Sequence, residues 1–522
     1  MTFISKSKYI AGLQCSKLLW YYYNAREQIP PYDEATQAIF DQGHQVGELA
    51  QSLFPGGVEI GGSHTEFEEA LRRTSEALSL RKPLFEPAFR FGNAYARADI
   101  LSPAGKDRWD IFEVKSATEV KDVYIHDMAL QKYTYAGAGL DIRKCFLMYI
   151  DNAYERLGEV EPERLFARAD VTGRVDALLP NVGDNLRKML DVIRREKVPD
   201  ISIGPWCSDP YDCPLISICW NFLPETSIFD LSRIGKRGFE LLERGITRVA
   251  DIPDGFRLNA TQALQVKAFM TGRPRVDRPA IKDFLGSLAY PLFFLDFETF
   301  ATAIPLFDHV RPYQQVPFQF SLHAVRKAGG ESEHFGFIAD GNCDPRPGLL
   351  ARLFPLLGTT GSLVSYNASF EKGILRESCR AFPDFARQWE SAEPRFVDLL
   401  APFRSFHYYH PDQCGSASIK SVLPALTGKG YDQLEIQEGS TASLEFLRVT
   451  FGDVPESERQ RVRRQLEQYC ALDTLAMVWL LAELENVSRG HTGKTHERSG
   501  KVVTSTGDAR GMNAPHSGKC LR

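Results

Sequence analysis

Residues 290–300, YPLFFLDFETF, place two carboxylates, Asp296 and Glu298, within a run that is otherwise almost wholly apolar or aromatic. Side chains two apart on a strand share a face, and a strand apolar on both sides is one buried in a sheet. Carboxylates held there unpaired are costly, and a divalent cation is the usual compensation. This stretch therefore reads as a core strand that ends in a metal site.

Two later segments supply matching parts. SLVSYNASFEKGIL joins a strand to a helix carrying Asn367 and Glu371, and YCALDTLAM sets Tyr469 four residues before Asp473, hence on one helical face. Asp398 in RFVDLL is a competing ligand that reads better as a structural or helix-capping residue. Taken in order, D-x-E, N-x2-F-E and Y-x3-D resemble the three motifs of the DEDD exonucleases of the DnaQ-like, RNase H-like superfamily, over about residues 290 to 487. The resemblance implies that Asp296, Glu298, Glu371 and Asp473 bind two metal ions, Mg²⁺ or Mn²⁺, and that Tyr469 orients or helps deprotonate the attacking water. Glu371 departs from the family's usual Asp by one methylene.

The N-terminal part carries a different carboxylate pattern. Asp99 in ARADIL is expected at the end of a strand, SPAGKDR reads as a turn, and DIFEVKSA puts Glu113 and Lys115 on one face of the next strand. Carboxylates beside a lysine are what a metal-dependent phosphodiester hydrolase needs. Downstream, Gln131 and Tyr135 share a helical face. This set resembles the RecB-like branch of the PD-(D/E)XK nucleases over about residues 1 to 222. The resemblance implies Asp99 and Glu113 as metal ligands, Lys115 as a catalytic residue, and Gln131 and Tyr135 as residues that support the site or touch DNA. Relatives often carry a His on an early helix; DQGHQVGELAQ appoints Gly47 to that place, with Glu48 as the neighbouring candidate ligand and His44 three residues before it.

Ten cysteines in 522 residues, with a start that does not read as a secretory signal, are not expected to form a disulfide framework. Cys207, Cys213 and Cys219 stand close together in WCSDPYDCPLISICW, and Cys15 precedes them by nearly a whole domain. Four thiolates suit an iron-sulfur cluster or Zn²⁺, and the absence of tight C-x2-C pairs favours iron-sulfur. One Cys at the start and three at the end also resembles the iron-sulfur subset of RecB-like nucleases, which implies a structural 4Fe-4S cluster tying the ends of the domain together. Cys145, Cys343, Cys379, Cys414, Cys470 and Cys520 are expected to be reduced, buried, small hydrophobic residues.

The expected fold class is α/β multidomain: a restriction-endonuclease-like domain at 1–222, a small helical connector at 223–287, an RNase H-like domain at 288–487 and a disordered tail at 488–522. SRIGKRGFELLERGITRVADIP in the connector has the cadence of a helix-hairpin-helix, or of a packed linker. The order of domains is similar to that of a bacterial family with the same arrangement. A net charge of −5 gives no global pull toward nucleic acid, although bound cations would reverse the local sign. No apolar run reaches the roughly 18 residues of a membrane span, so the expected location is cytoplasmic. The leading expectation is a nuclease that acts on DNA rather than RNA, in repair, recombination or defence. The alternatives are a nucleic-acid-binding scaffold in which only the C-terminal site turns over, perhaps on RNA, and a partner-binding protein that has lost both activities.

Overall fold

The computed structural model describes residues 2–61, 67–341 and 343–491. The chain is of mixed α/β class and divides into two compact units, Met1–Phe222 with Thr302–Gln314, and Leu223–Ala301 with Gln315–Arg522. Two expected boundaries change. The connector groups with the second unit, and residues 302–314, expected in the third domain, group with the first. The reason is local: Ala303 and Ile304 join an apolar cluster with Val46, Phe54 and Phe112, and the Arg156 guanidinium donates to the carbonyls of Pro305 and Leu306.

In the first unit the strands are β1 (Val58–Glu59), β2 (Leu84–Phe85), β3 (Ala88–Phe91), β4 (Ala94–Arg97), β5 (Ile100–Ala104), β6 (Arg108–Lys115), β7 (Asp141–Ile150) and β8 (Phe166–Asp170). Six of them form a mixed sheet in the order β1-β2-β5-β6-β7-β8, while β3 and β4 make a separate hairpin. The parallel neighbours β6 and β7 need a crossover, which the helix Asp122–Gly137 provides. SPAGKDR is mostly strand: Ser102 and Pro103 pair with Asp110 and Trp109, and only residues 105–107 turn, with Gly105 taking a φ of 76°. Asp99 lies in the break between β4 and β5 rather than at a strand end. Cys15 is extended, with φ −158° and ψ 123°, and so separates the helices Lys6–Gln14 and Ser16–Asn24.

The second unit adds β9 (Arg275–Val276), β10 (Leu292–Phe300), β11 (Val316–Val325), β12 (Ser332–Ile338), β13 (Ser362–Ser365), β14 (Phe396–Asp398) and β15 (Tyr408–Tyr409). Its main sheet runs β12-β11-β10-β13-β14, antiparallel from β12 to β10 and parallel from β10 to β14. Every residue of β11 is buried, so both faces of the sheet are covered there. On one face Gln319, Ser321 and His323 alternate along the strand and hold the long helix Glu456–Ser488 in register. Gln319 Nε2 donates to the Leu466 carbonyl at 2.9 Å, while Thr474 Oγ1 meets Ser321 Oγ at 2.6 Å and His323 Nδ1 at 2.8 Å. Burial and the neighbouring His334 push the pKa of His323 down to about 3, so its ring is neutral at ordinary pH. That register fixes Asp473, one residue before Thr474.

The helix reaches Ser488, where the disordered tail was expected to begin; residues 492–522 lie outside the described residues. Among the described residues no helix is long and apolar enough to cross a membrane.

Replacing Thr474 with Val keeps the shape of the side chain but strips a hydroxyl shared by two buried polar groups. The expected loss is about 1–3 kcal/mol for each group left without a partner, read as a lower urea midpoint for the second unit. An unchanged midpoint would show that the network does not hold the helix.

Candidate functional site

Three elements of the second unit converge on one acidic cluster. β10 delivers Asp296 and Glu298, and the ladder with β11 slips between Glu298 and Thr299. The helix Ala368–Ala381 carries Glu371 in its first turn, and the helix Glu456–Ser488 brings Asp473 and Tyr469. Glu371 depends on how its helix starts. Asn367 sits in the left-handed region at φ 80°, and its amide donates to Asp398 Oδ1 at 2.9 Å. The same oxygen accepts from the Leu400 amide at 3.0 Å, and Arg404 lies 3.7 Å from the other. Asp398 thus holds the loop, and its charge also reaches Glu371.

Glu298, Glu371 and Asp473 are buried, Asp296 nearly so, and among the described residues none of the four forms an ion pair. Burial first, then mutual repulsion, pushes the pKa values of Asp296, Glu298 and Glu371 well above the usual carboxylate range. Burial raises that of Asp473 to about 6, opposed by a hydrogen bond from the Tyr431 hydroxyl at 2.6 Å and by the charge of Lys420. Glu371 Oε2 is buried with no hydrogen-bond partner. Donor atoms of Asp296, Glu298 and Cys470 lie within 4.8 Å of one another. An orphaned carboxylate oxygen among acids that resist ionisation is what a divalent cation would relieve, so this donor set fits one.

In the first unit the structure joins Asp99, Glu113, Lys115, Gln131 and Tyr135, but on different terms. Glu113 Oε1 accepts from Lys115 Nζ at 2.7 Å and Lys6 Nζ at 2.9 Å, and Oε2 accepts from Gln131 Nε2 at 2.7 Å and Lys6 at 3.1 Å. Burial opposes the charge on Glu113, yet Lys115 and Lys6 outweigh it and hold its pKa well below the usual range. Burial and the charge of Glu113 raise Asp99 to about 7, while its Oδ2 accepts from the Val114 amide at 2.6 Å. Tyr135 is a support: its hydroxyl accepts from the Ala98 amide at 2.7 Å and donates to the Pro87 carbonyl at 2.6 Å, clamping the backbone beside Asp99. Glu113 has no oxygen left orphaned, but beside it Asp127 Oδ1 and Gln131 Oε1 are buried without a hydrogen-bond partner, so this group too has oxygens in want of one.

Glu48 is not brought to this group. It stands exposed on the helix Glu34–Gln51, as does His44, because Val46 and Ala50 are the buried residues of that helix. A Cβ at Gly47 would meet nothing within 4 Å.

Cys15, Cys207, Cys213 and Cys219 line one small cavity of about 20 Å³, and all four are free thiols. Burial and the other three sulfurs push Cys213 up to about 11. Cys145, Cys379 and Cys470 are buried as expected. Cys414 is exposed, on a loop where its φ is 46°, and Cys343 is exposed, so neither is buried. Cys520 lies outside the described residues.

Five residues at these centres escaped the sequence. Lys6 and its partner Glu113 are 107 positions apart, and no local spacing connects them. Tyr431 and Lys420 come from a loop and a short helix without any motif, and Cys470, whose Sγ is 3.8 Å from Asp296 Oδ2, looks like core. Only Asp127, which accepts from Lys115 Nζ at 3.1 Å, had a signal: it lies four residues before Gln131, on the same helical face.

The fold and this centre define a mixed α/β protein with a buried acidic cluster. Residues 293–418 match a sequence family described as a domain of unknown function, DUF2779. That stretch includes Asp296, Glu298, Glu371 and Asp398 but stops short of Tyr431, Tyr469 and Asp473. No curated protein matches the chain.

Because the four acids hold protons to unusually high pH, a cation must displace protons to bind. Titrating Mn²⁺ at pH 6 in buffers of differing ionisation enthalpy should show net proton release, and apparent affinity should rise as pH climbs. Binding without proton release, with affinity flat between pH 5 and 8, would exclude the cluster as the ion site.

Proposed function

We propose that the protein is a metal-dependent nuclease whose principal centre is the acidic cluster of the second unit, acting on DNA in preference to RNA. The observation that carries this reading is the convergence of Asp296, Glu298, Glu371 and Asp473 with an orphaned Glu371 oxygen. The strand order β12-β11-β10-β13-β14, with two antiparallel and two parallel pairings, supports an RNase H-like fold for this unit. When bound, Mg²⁺ or Mn²⁺ supplies Lewis-acid stabilisation and a nucleophile at neutral pH. The chain's own residues supply the rest. Lys420, whose charge acts on Glu298 and Asp473, attracts the substrate phosphate. Tyr469, within reach of Asp473, Glu298 and Asp296, orients the attacking water, and Tyr431 keeps Asp473 in place.

For the first unit the resemblance to RecB-like nucleases supports a second cleavage site with Lys115 catalytic. A specific observation favours the alternative, in which this unit binds nucleic acid without cutting it: Lys6 occupies both oxygens of Glu113, and Glu48 is absent from the centre.

The four clustered thiols support a structural iron-sulfur cluster. The absence of tight C-x2-C pairs favours iron-sulfur over zinc. Anaerobically purified protein should be brown and contain iron and acid-labile sulfide, and Cys213→Ser should lose the colour. Colourless protein with stoichiometric zinc would refute the assignment.

The test of the whole reading is cleavage of end-labelled single-stranded DNA, duplex DNA and RNA with Mn²⁺. Strands should shorten from their 3′ ends, and a chelator should stop the reaction. Tyr469→Phe should cost about 10²- to 10⁴-fold, Asp473→Ala at least as much, and Glu371→Asp should keep turnover that Glu371→Ala lacks. Full activity in Asp473→Ala on every substrate would remove this centre from the reaction. Activity that survives Asp473→Ala and disappears in Lys115→Ala would establish the first unit as a second nuclease; none surviving would leave it the binding role.

A further inference from the structure

One residue past Lys115 a cleft of about 760 Å³ opens in the first unit. Its walls include Ser116, Thr118 and Lys121 after β6, Asn152 after β7, and Arg311 and Tyr313 from the segment Thr302–Gln314. The Tyr313 hydroxyl donates to the Ser116 carbonyl, so this wall is bonded directly to the loop that leaves the Glu113–Lys115 centre.

The segment is a built wall. Besides the two carbonyls held by Arg156, the Arg156 amide donates to the Val310 carbonyl at 3.1 Å and the His309 amide to the Arg156 carbonyl at 2.9 Å. Gly158 donates its amide to Asp308 Oδ1 at 2.8 Å, and His309 Nδ1 lies 3.0 Å from Glu155 Oε1. His309 and Tyr313 both hold left-handed backbone, at φ 57° and 59°, which non-glycine residues adopt only where their surroundings insist.

The cleft sets the Tyr313 ring with Lys121 and Glu119, and a second exposed ring, Tyr211, stands within electrostatic reach of the same Tyr124 as Tyr313. Tyr313 is 36% and Tyr211 50% exposed, although large aromatic rings are usually buried. Both hydroxyls lie within electrostatic reach of Tyr124, and that of Tyr211 also of Lys115 and Glu113. The Tyr211 loop is tied down by Gln14, whose Nε2 donates to the Tyr211 and Trp206 carbonyls at 2.6 and 2.8 Å. Exposed rings on fixed loops, with the exposed Lys121 beside them, are the means by which proteins grip an unpaired strand, bases on rings and phosphates on cations. A duplex, whose bases are stacked on each other, offers no faces to such rings.

We propose that this cleft binds single-stranded nucleic acid beside the Glu113–Lys115 centre, with bases stacked on Tyr313 and Tyr211 and a phosphate met by the exposed Lys121. The proposal rests on the reading that the first unit handles nucleic acid, and holds whether or not that unit cuts. The test is photocrosslinking of the full chain, without divalent ions, to an oligodeoxythymidine in which thymines are replaced by 5-iodouracil, with peptides mapped by mass spectrometry. Crosslinks should appear in the peptides holding Tyr211 and Tyr313. Tyr313→Ala should lower the Tyr211 crosslink at least about fivefold, and Lys121→Glu, at an exposed position, should lower both. Tyr313→Phe, which keeps the ring, should retain them. Crosslinks confined to residues 223–301 and 315–491, or a Tyr211 yield unchanged in both Tyr313→Ala and Lys121→Glu, would overturn the proposal. Loss or survival of Lys115-dependent cleavage judges the nuclease reading separately, because the crosslink needs no hydrolysis.

Discussion

The second unit is organised around four carboxylates that a protein interior would not tolerate on their own account. Asp296, Glu298, Glu371 and Asp473 come from a central strand and two helices, and their approach is held by interactions that are themselves buried and directional: the hydroxyl of Thr474 between Ser321 and His323, the amide of Asn367 on Asp398, the hydroxyl of Tyr431 on Asp473. Bringing like charges together out of water raises their pKa values, and this stored cost is the affinity available to a cation. The apolar packing of β10 and β11 is what makes the cost large, since the same acids on a solvated surface would simply be hydrated.

The first unit meets the same difficulty in another way. Its buried carboxylate, Glu113, is compensated by two ammonium groups and an amide, all from this chain. A buried acid satisfied by its own protein is stable without an ion, and an entering cation would have to compete with Lys6 for it. The two acidic centres therefore differ in how one carboxylate is held: Glu113 is paired with two lysines, whereas Asp296, Glu298, Glu371 and Asp473 form no ion pair among the described residues.

The first unit also shows how segments remote in sequence finish a site. Cys15 at the start meets three cysteines at the end in one cavity, and residues 302–314 bond to the loops after β6 and β7. Both joins restrain long stretches of chain, and both place exposed aromatic residues near Lys115. The rigidity of these walls comes from backbone hydrogen bonds to Arg156 and Gln14, not from packing alone.

The parts whose physics is local were legible in the residues alone. Alternation along YPLFFLDFETF told that Asp296 and Glu298 share a face of a buried strand, four-residue spacing paired Gln131 with Tyr135 and Tyr469 with Asp473, and the grouping of cysteines singled out four of the ten. Those periodicities are properties of strands and helices and survive any fold that contains them. What each group meets was set by long-range packing. It set Lys6 on Glu113 across 107 positions, Tyr431 on Asp473 across 42 and Tyr313 on Ser116 across 197, it left Glu48 in solvent, and it moved residues 302–314 into the first unit. Contacts over such separations depend on how sheets and helices pack and carry no period along the chain. Spacing could name the acids, but only packing could show that Glu113 is paired with lysines while Glu371 and Asp127 each keep a buried oxygen without a partner.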